Sequence, residues 1–123
     1  MAITVQTLVD GSRKVVVNIV GSADAAGTTL DISSFAKMRG NQDAAKWTLK
    51  RVWFAGDQRV DVFWDATANV LALSLAAGDQ NFDFQSIGGI KNNAGVGVTG
   101  DVIITPAASA NYSLVMEFTK VLD

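Results

Sequence analysis

The residues able to do chemistry in this chain are few. It has no histidine and no cysteine. That removes the usual proton shuttle near neutral pH, the commonest metal ligand, and all thiolate and disulfide chemistry. Of its 12 acidic residues, all but Glu117 are aspartates. Asp79 and Asp83 flank Asn81, and Asp61 lies near Asp65, an oxygen-rich spacing that could hold a cation. Calcium wants six to eight oxygens, however, and the EF-hand loop closes on a glutamate that these stretches lack. Solvated turns and strand faces explain the same residues. A glycosidase needs two carboxylates flanking one bond, and no spacing singles out a pair. No Ser-x-x-Lys arrangement is present. Gly95-Val96-Gly97-Val98-Thr99-Gly100 has the G-x-G-x-x-G spacing of a dinucleotide site. That motif works only between a strand and a helix whose N-terminal amides hold pyrophosphate. Here the loop IKNNAG precedes it, and a strand signal, Asp101–Thr105, follows and stops at Pro106. Asn111-Tyr112-Ser113 is formally a glycosylation sequon, but the opening MAITVQTLVDGSRK lacks a signal-peptide pattern. These residues imply no enzyme, no cofactor and no metal.

The elements that would position them come from alternation. With 123 residues, 49% apolar and 18% charged, and a net charge of −2, the chain is expected to form a single domain over residues 1–123. The scattered Lys and Arg and the slightly acidic balance argue against a nucleic-acid partner. No apolar run is long enough to cross a bilayer as a helix, so no membrane partner is expected. Period-two patterns, which put successive side chains on opposite faces of a strand, mark Ile3–Leu8, Lys14–Val20, Leu30 with Ile32, Lys46–Ala55, Gln58–Ala66, Asn69–Leu75, Asn81–Ile87, Asp101–Thr105 and Asn111–Leu122. Residues 36–45 read as a loop or a single helical turn, with Met38 as the only apolar anchor. Short strands at roughly ten-residue spacing predict an all-β fold, an antiparallel β-sandwich of jelly-roll or immunoglobulin-like type. Strands covered on both faces by helices would read as continuous apolar runs instead.

One hairpin can be carried to single residues. Gly56-Asp57 suits a two-residue type II′ turn, which would pair Ala55 with Gln58. Trp53 would then face Val60, Arg51 face Val62 and Leu49 face Trp64 on a core row. The wet row would carry Thr48, Lys50, Val52 and Phe54 against Arg59, Asp61, Phe63 and Asp65. Arg51 would need a carboxylate or a route to solvent. Val52, Phe54 and Phe63 would be apolar groups on an exposed face, either shielded by neighbouring charged stems or offered to another protein. In the last strand Tyr112, Leu114, Met116 and Phe118 share a side, at a spacing that predicts core.

Three stretches resemble a family of small tailed-phage virion proteins: TLVDGSRKVVVNIVG (Thr7–Gly21), KRVWFAGDQRVDVFWDA (Lys50–Ala66), and FDFQSIGGIKNNAGVGVTGDVIITP (Phe82–Pro106) with the closing YSLVMEFTKV. The shared order is an opening pair of strands with an Asp-Gly turn, a Trp-bearing hairpin, and a glycine loop before the last two strands. The resemblance implies a non-enzymatic capsid decoration or cement protein. Such a protein would be made in the host cytoplasm, sit on the capsid surface and bind the major capsid protein or other virion proteins. It would act as a homo-oligomer whose repeated contacts raise avidity. On exposed apolar bulk, unpaired edges and loop length, the contacts are expected at Ile3 and Val5 of the first strand, at Val52, Phe54 and Phe63, and at Ile90, Asn92 and Asn93 of the Gly88–Gly100 loop. The alternatives are a neck, tail or head-fibre component, or a carbohydrate-binding β-sandwich module. The last requires a tryptophan open to solvent, and it is weakened by the placing of Trp53 and Trp64 on the core row.

Overall fold

The computed structural model describes residues 2–38 and 46–121. Among the described residues ten strands follow one another: β1 (Ala2–Asp10), β2 (Lys14–Asp24), β3 (Thr28–Leu30), β4 (Lys46–Gly56), β5 (Val60–Trp64), β6 (Val70–Leu75), β7 (Gly78–Asp83), β8 (Ile90–Lys91), β9 (Val102–Pro106) and β10 (Ala110–Val121). Short 3₁₀ turns at Ile32–Ser34 and Gln85–Ile87 interrupt the series. Two antiparallel sheets result. The larger runs β1-β2-β10-β4-β7, with β8 also on β4; the smaller runs β3-β9-β5-β6. They form the expected all-β sandwich. The third strand signal ends at Leu30, because Ile32 opens a 3₁₀ turn capped by Asp31, whose side chain accepts from the Ser33 amide. Of the segment 36–45, residues 39–45 lie outside the described residues. Phe35 and Met38, just before them, pack against the core.

Alternation builds the core as expected on β2 and β10. Val15, Val17 and Ile19 of β2 and Tyr112, Leu114, Met116 and Phe118 of β10 turn inward and are buried. Val60, Val62, Trp64, Val102, Ile104 and Leu75 close on them from the smaller sheet. Trp47 fills the far end, with its ring edge against Phe35 at 4.8 Å and tilted on Phe118 at 4.9 Å.

The central hairpin does not form. β4 pairs with β10 and β7, whereas β5 pairs with β6 and β9, so Gly56-Asp57 carries the chain from one sheet to the other. Asp57 explains the departure. Its two carboxylate oxygens accept from the Asn111 amide and the Asn111 Nδ2, each at 2.9 Å, and its own amide donates to the Asn111 carbonyl. The turn is therefore tied to the start of β10 rather than folded back on β4.

A second correction concerns which side of β4 faces inward. Between Arg51, which opposes Glu117, and Leu49, which opposes Phe118, the register slips by one residue. Lys50 is the extra residue of a β-bulge, which leaves one residue unpaired and reverses the alternation beyond it. Trp47 and Leu49 point inward on one side of the bulge. Val52 and Phe54 do so on the other, at 0% and 3% exposure. Arg51 and Trp53 are half-exposed and lie outward.

Two polar clasps pin the ends of this sandwich. The Tyr112 hydroxyl donates to Asp24 Oδ2 at 2.8 Å, while Asp24 Oδ1 accepts from the amides of Ala26 and Gly27. The Tyr112 ring lies over Gly21, where any Cβ would overlap it. At the opposite end the buried ammonium of Lys120 donates to Asp10 Oδ1 at 2.9 Å and to the carbonyls of Gly11 and Ala36 at 2.6 and 2.5 Å.

Candidate functional site

The bulge gives the larger sheet an outer face with an aromatic residue near its middle. Successive outward positions on neighbouring strands line up as Gln6, Asn18, Val115, Trp53 and Asn81, each opposite the next. A parallel row carries Thr4, Val20, Ser113, Ala55 and Asp79. On the other side lie Val16, Glu117, Arg51 and Asp83. Trp53, Ala55, Val115 and Ser113, with the β7 segment Asp79–Asn81, line an open groove of about 360 Å³. The indole is thus framed by small apolar side chains and edged by amides, a hydroxyl and a carboxylate.

Charge at the groove's border is already paired. Arg51 Nε lies 3.6 Å from Asp83 Oδ2, with both side chains about half in solvent, and Glu117 stands opposite Arg51 on β10. One polar atom is not provided for: Asn18 Oδ1 is buried and accepts no hydrogen bond. Buried polar atoms are nearly always satisfied, but Asn18 does not line the groove.

The remaining carboxylates serve the scaffold. Asp31 is held below the usual carboxylate range by the Ser33 hydroxyl and amide, and Asp57 by the Asn111 amide and side chain. Asp101 is pushed up, chiefly by burial and then by Asp31 and Asp65, although it accepts from the Ile32 amide. Asp61 accepts from Ser74 Oγ at 2.6 Å, and Asp65 from Thr99 Oγ1 at 2.8 Å. Among the described residues, no three His, Cys, Asp or Glu side chains gather as a metal-ligand set. The glycine motif also has no nucleotide geometry. Gly97 and Gly100 take positive φ, and the loop folds back on the β5–β6 turn, with the Thr67 amide donating to Val96 and the Thr99 amide to Asp65. β9, not a helix, follows it. The sequon nitrogen, Asn111 Nδ2, donates to Asp57.

The contact residues expected from sequence are scattered. Val52 and Phe54 are core, which corrects their placing on a wet face, because the bulge at Lys50 turns that half of β4 over. Phe63 does lie outward, but on the smaller sheet between Ile103 and Leu71 rather than beside Lys50. Ile3 is half-buried and Val5 is 41% exposed on the edge strand β1. Ile90 pairs with Leu49 and is half-buried, Asn92 is buried and Asn93 exposed. Sequence reasoning missed Trp53 as an outward residue. The one signal pointing to it was Arg51, which shares its face and was already out of place on a core row.

No family model and no curated protein matches the chain. Among solved structures it is similar to a variant of a family 29 carbohydrate-binding module, with 5% identity over 99% of this chain and 87% of that one, at a TM-score of 0.50. A second variant of that module follows at 6% identity and TM-score 0.49, covering 99% and 93%. Another, complexed with mannohexaose, has 7% identity and TM-score 0.47, covering 99% and 94%. At such identities the likeness is one of fold. It overturns the resemblance to phage virion proteins, and with it the capsid-decoration role and the capsid-surface location. Along nearly its whole length, the chain shares the fold of that solved structure.

Proposed function

We propose that this domain binds a glycan on the outer face of its larger sheet and performs no catalysis. The observation that carries the reading is Trp53, outward and half-exposed over an open groove. The face of a sugar ring that bears its C–H bonds is apolar, and a planar indole offers it a large rigid contact. The hydroxyls around the ring's edge need donors and acceptors, which Asn81, Ser113 and Asp79 provide beside Trp53. From Asn18 to Asn81 the row crosses three inter-strand gaps of about 4.8 Å each, room for a short oligosaccharide lying across the strands. The fold shared with a carbohydrate-binding module agrees with this use of the sheet.

Isothermal titration with mannohexaose and cellohexaose tests the proposal. Wild type binds at least one of them, and Trp53→Ala weakens that binding about tenfold or more, as loss of a stacked aromatic anchor does, with the melting temperature little changed. Binding that survives Trp53→Ala unaltered, or none in wild type to any neutral β-linked glycan offered, overturns it.

A further inference from the structure

At the start of β4, on the far side of the bulge from Trp53, a cavity of about 220 Å³ is lined by Lys46, Trp47, Thr48, Lys91, Asn92 and Val121. Two of these residues carry buried donors that meet no acceptor: Trp47 Nε1 and Asn92 Nδ2. Register brings them together. Lys91 pairs with Thr48 across the β8–β4 ladder, so the next residue, Asn92, falls level with Trp47. Trp47 is 0% and Asn92 8% exposed, so bulk water does not serve either group.

The chemistry here has one sign. An indole N–H can only donate. Asn92 Oδ1 already accepts from the Ala94 amide at 3.0 Å, which fixes the amide and leaves its nitrogen as the free end. Lys46 and Lys91 add two positive charges, and neither forms an ion pair with a described residue. Among the described residues, no carboxylate lines the cavity. A complement to this set must accept hydrogen bonds and carry negative charge. We propose that the cavity is a second binding site, taking a carboxylate such as that of an acidic sugar or a small organic acid. Two carboxylate oxygens can meet the two donors while the lysines balance the charge, and charge-assisted bonds of this kind are the stronger ones. A neutral hydroxyl would leave the lysines without a counter-charge. The assignment stands whether or not the sheet face binds glycans, because the two sites share no lining residue.

The test follows the indole N–H resonance of Trp47 by NMR in the full chain, during titration with sodium glucuronate, sodium acetate and glucose at constant ionic strength. Glucuronate, alone or together with acetate, gives a saturable shift, while glucose gives none. Saturation by both acids identifies the carboxylate as sufficient; saturation by glucuronate alone shows that the sugar ring adds contacts. Lys91→Glu, an exposed change, weakens the affinity roughly tenfold by reversing one charge beside the anion. Asn92→Leu abolishes the shift. No saturable shift with either acid, an equal one with glucose, or wild-type affinity in Lys91→Glu overturns the proposal.

Discussion

Tyr112 is the chain's one tyrosine, and its hydroxyl donates to a carboxylate that is 2% exposed. Burial, and then the Asp24 charge and its hydrogen bond, push the phenol well above its ordinary range. A folded-state value above the unfolded one, near 10, means that the unfolded chain gives up this proton first. The clasp's contribution is therefore complete below about pH 10 and lost as pH rises from there toward the folded value. Because no second tyrosine contributes, tyrosinate absorbance in native protein reports this group alone, and its onset is expected only together with unfolding. Tyr112→Phe leaves Asp24 with one donor fewer. It is expected to cost about 1–3 kcal/mol at neutral pH and to flatten the alkaline decline, both measurable by urea titration across pH.

At the scale of the element, β4 shows what one unpaired residue does. Deleting Lys50 would restore simple alternation and force either Trp47 and Leu49 or Val52 and Phe54 out of the core. Large core side chains are worth about 2–5 kcal/mol each, so the deletion is expected to abolish the cooperative melting transition seen by circular dichroism. Lys50→Ala keeps the residue count and is expected to keep that transition. The strand itself was legible in the sequence, nearly to its ends, and so were the inward sides of β2 and β10. The bulge was not, because nothing about a lysine in an alternating run marks it as unpaired, and a slip of one position exchanges the two faces. Gly56-Asp57 misled for a related reason. Its turn chemistry suits a hairpin locally, and only Asn111, distant in sequence, diverts it. The site was lost with the register, which assigned Trp53 to the core row.

Taken whole, the sandwich is laced by contacts between distant parts of the chain. Lys120 joins the β1–β2 turn, the segment after the first 3₁₀ turn and the last strand through one ammonium with three oxygen partners. Lys120→Met fits the hydrophobic part of the space but strands the Asp10 carboxylate and two carbonyls. Removing one partner of a buried pair costs about 3–5 kcal/mol. Asp10 is partly open to water, so the expected loss is nearer 2–3 kcal/mol. Native-state hydrogen exchange checks it: the Ala36 amide, which donates to Asp10, should lose protection more than amides in the middle of β10.

Trp53 springs from a strand bonded to a neighbour on either side, β10 and β7. The backbone beneath it is held in place before any partner arrives. Encounter then demands no ordering of a loop and no slow rearrangement, so little configurational freedom is surrendered on contact. A glycan taken at the proposed site would accordingly be captured at a rate set by diffusion and orientation, with selectivity expressed in how quickly each one leaves.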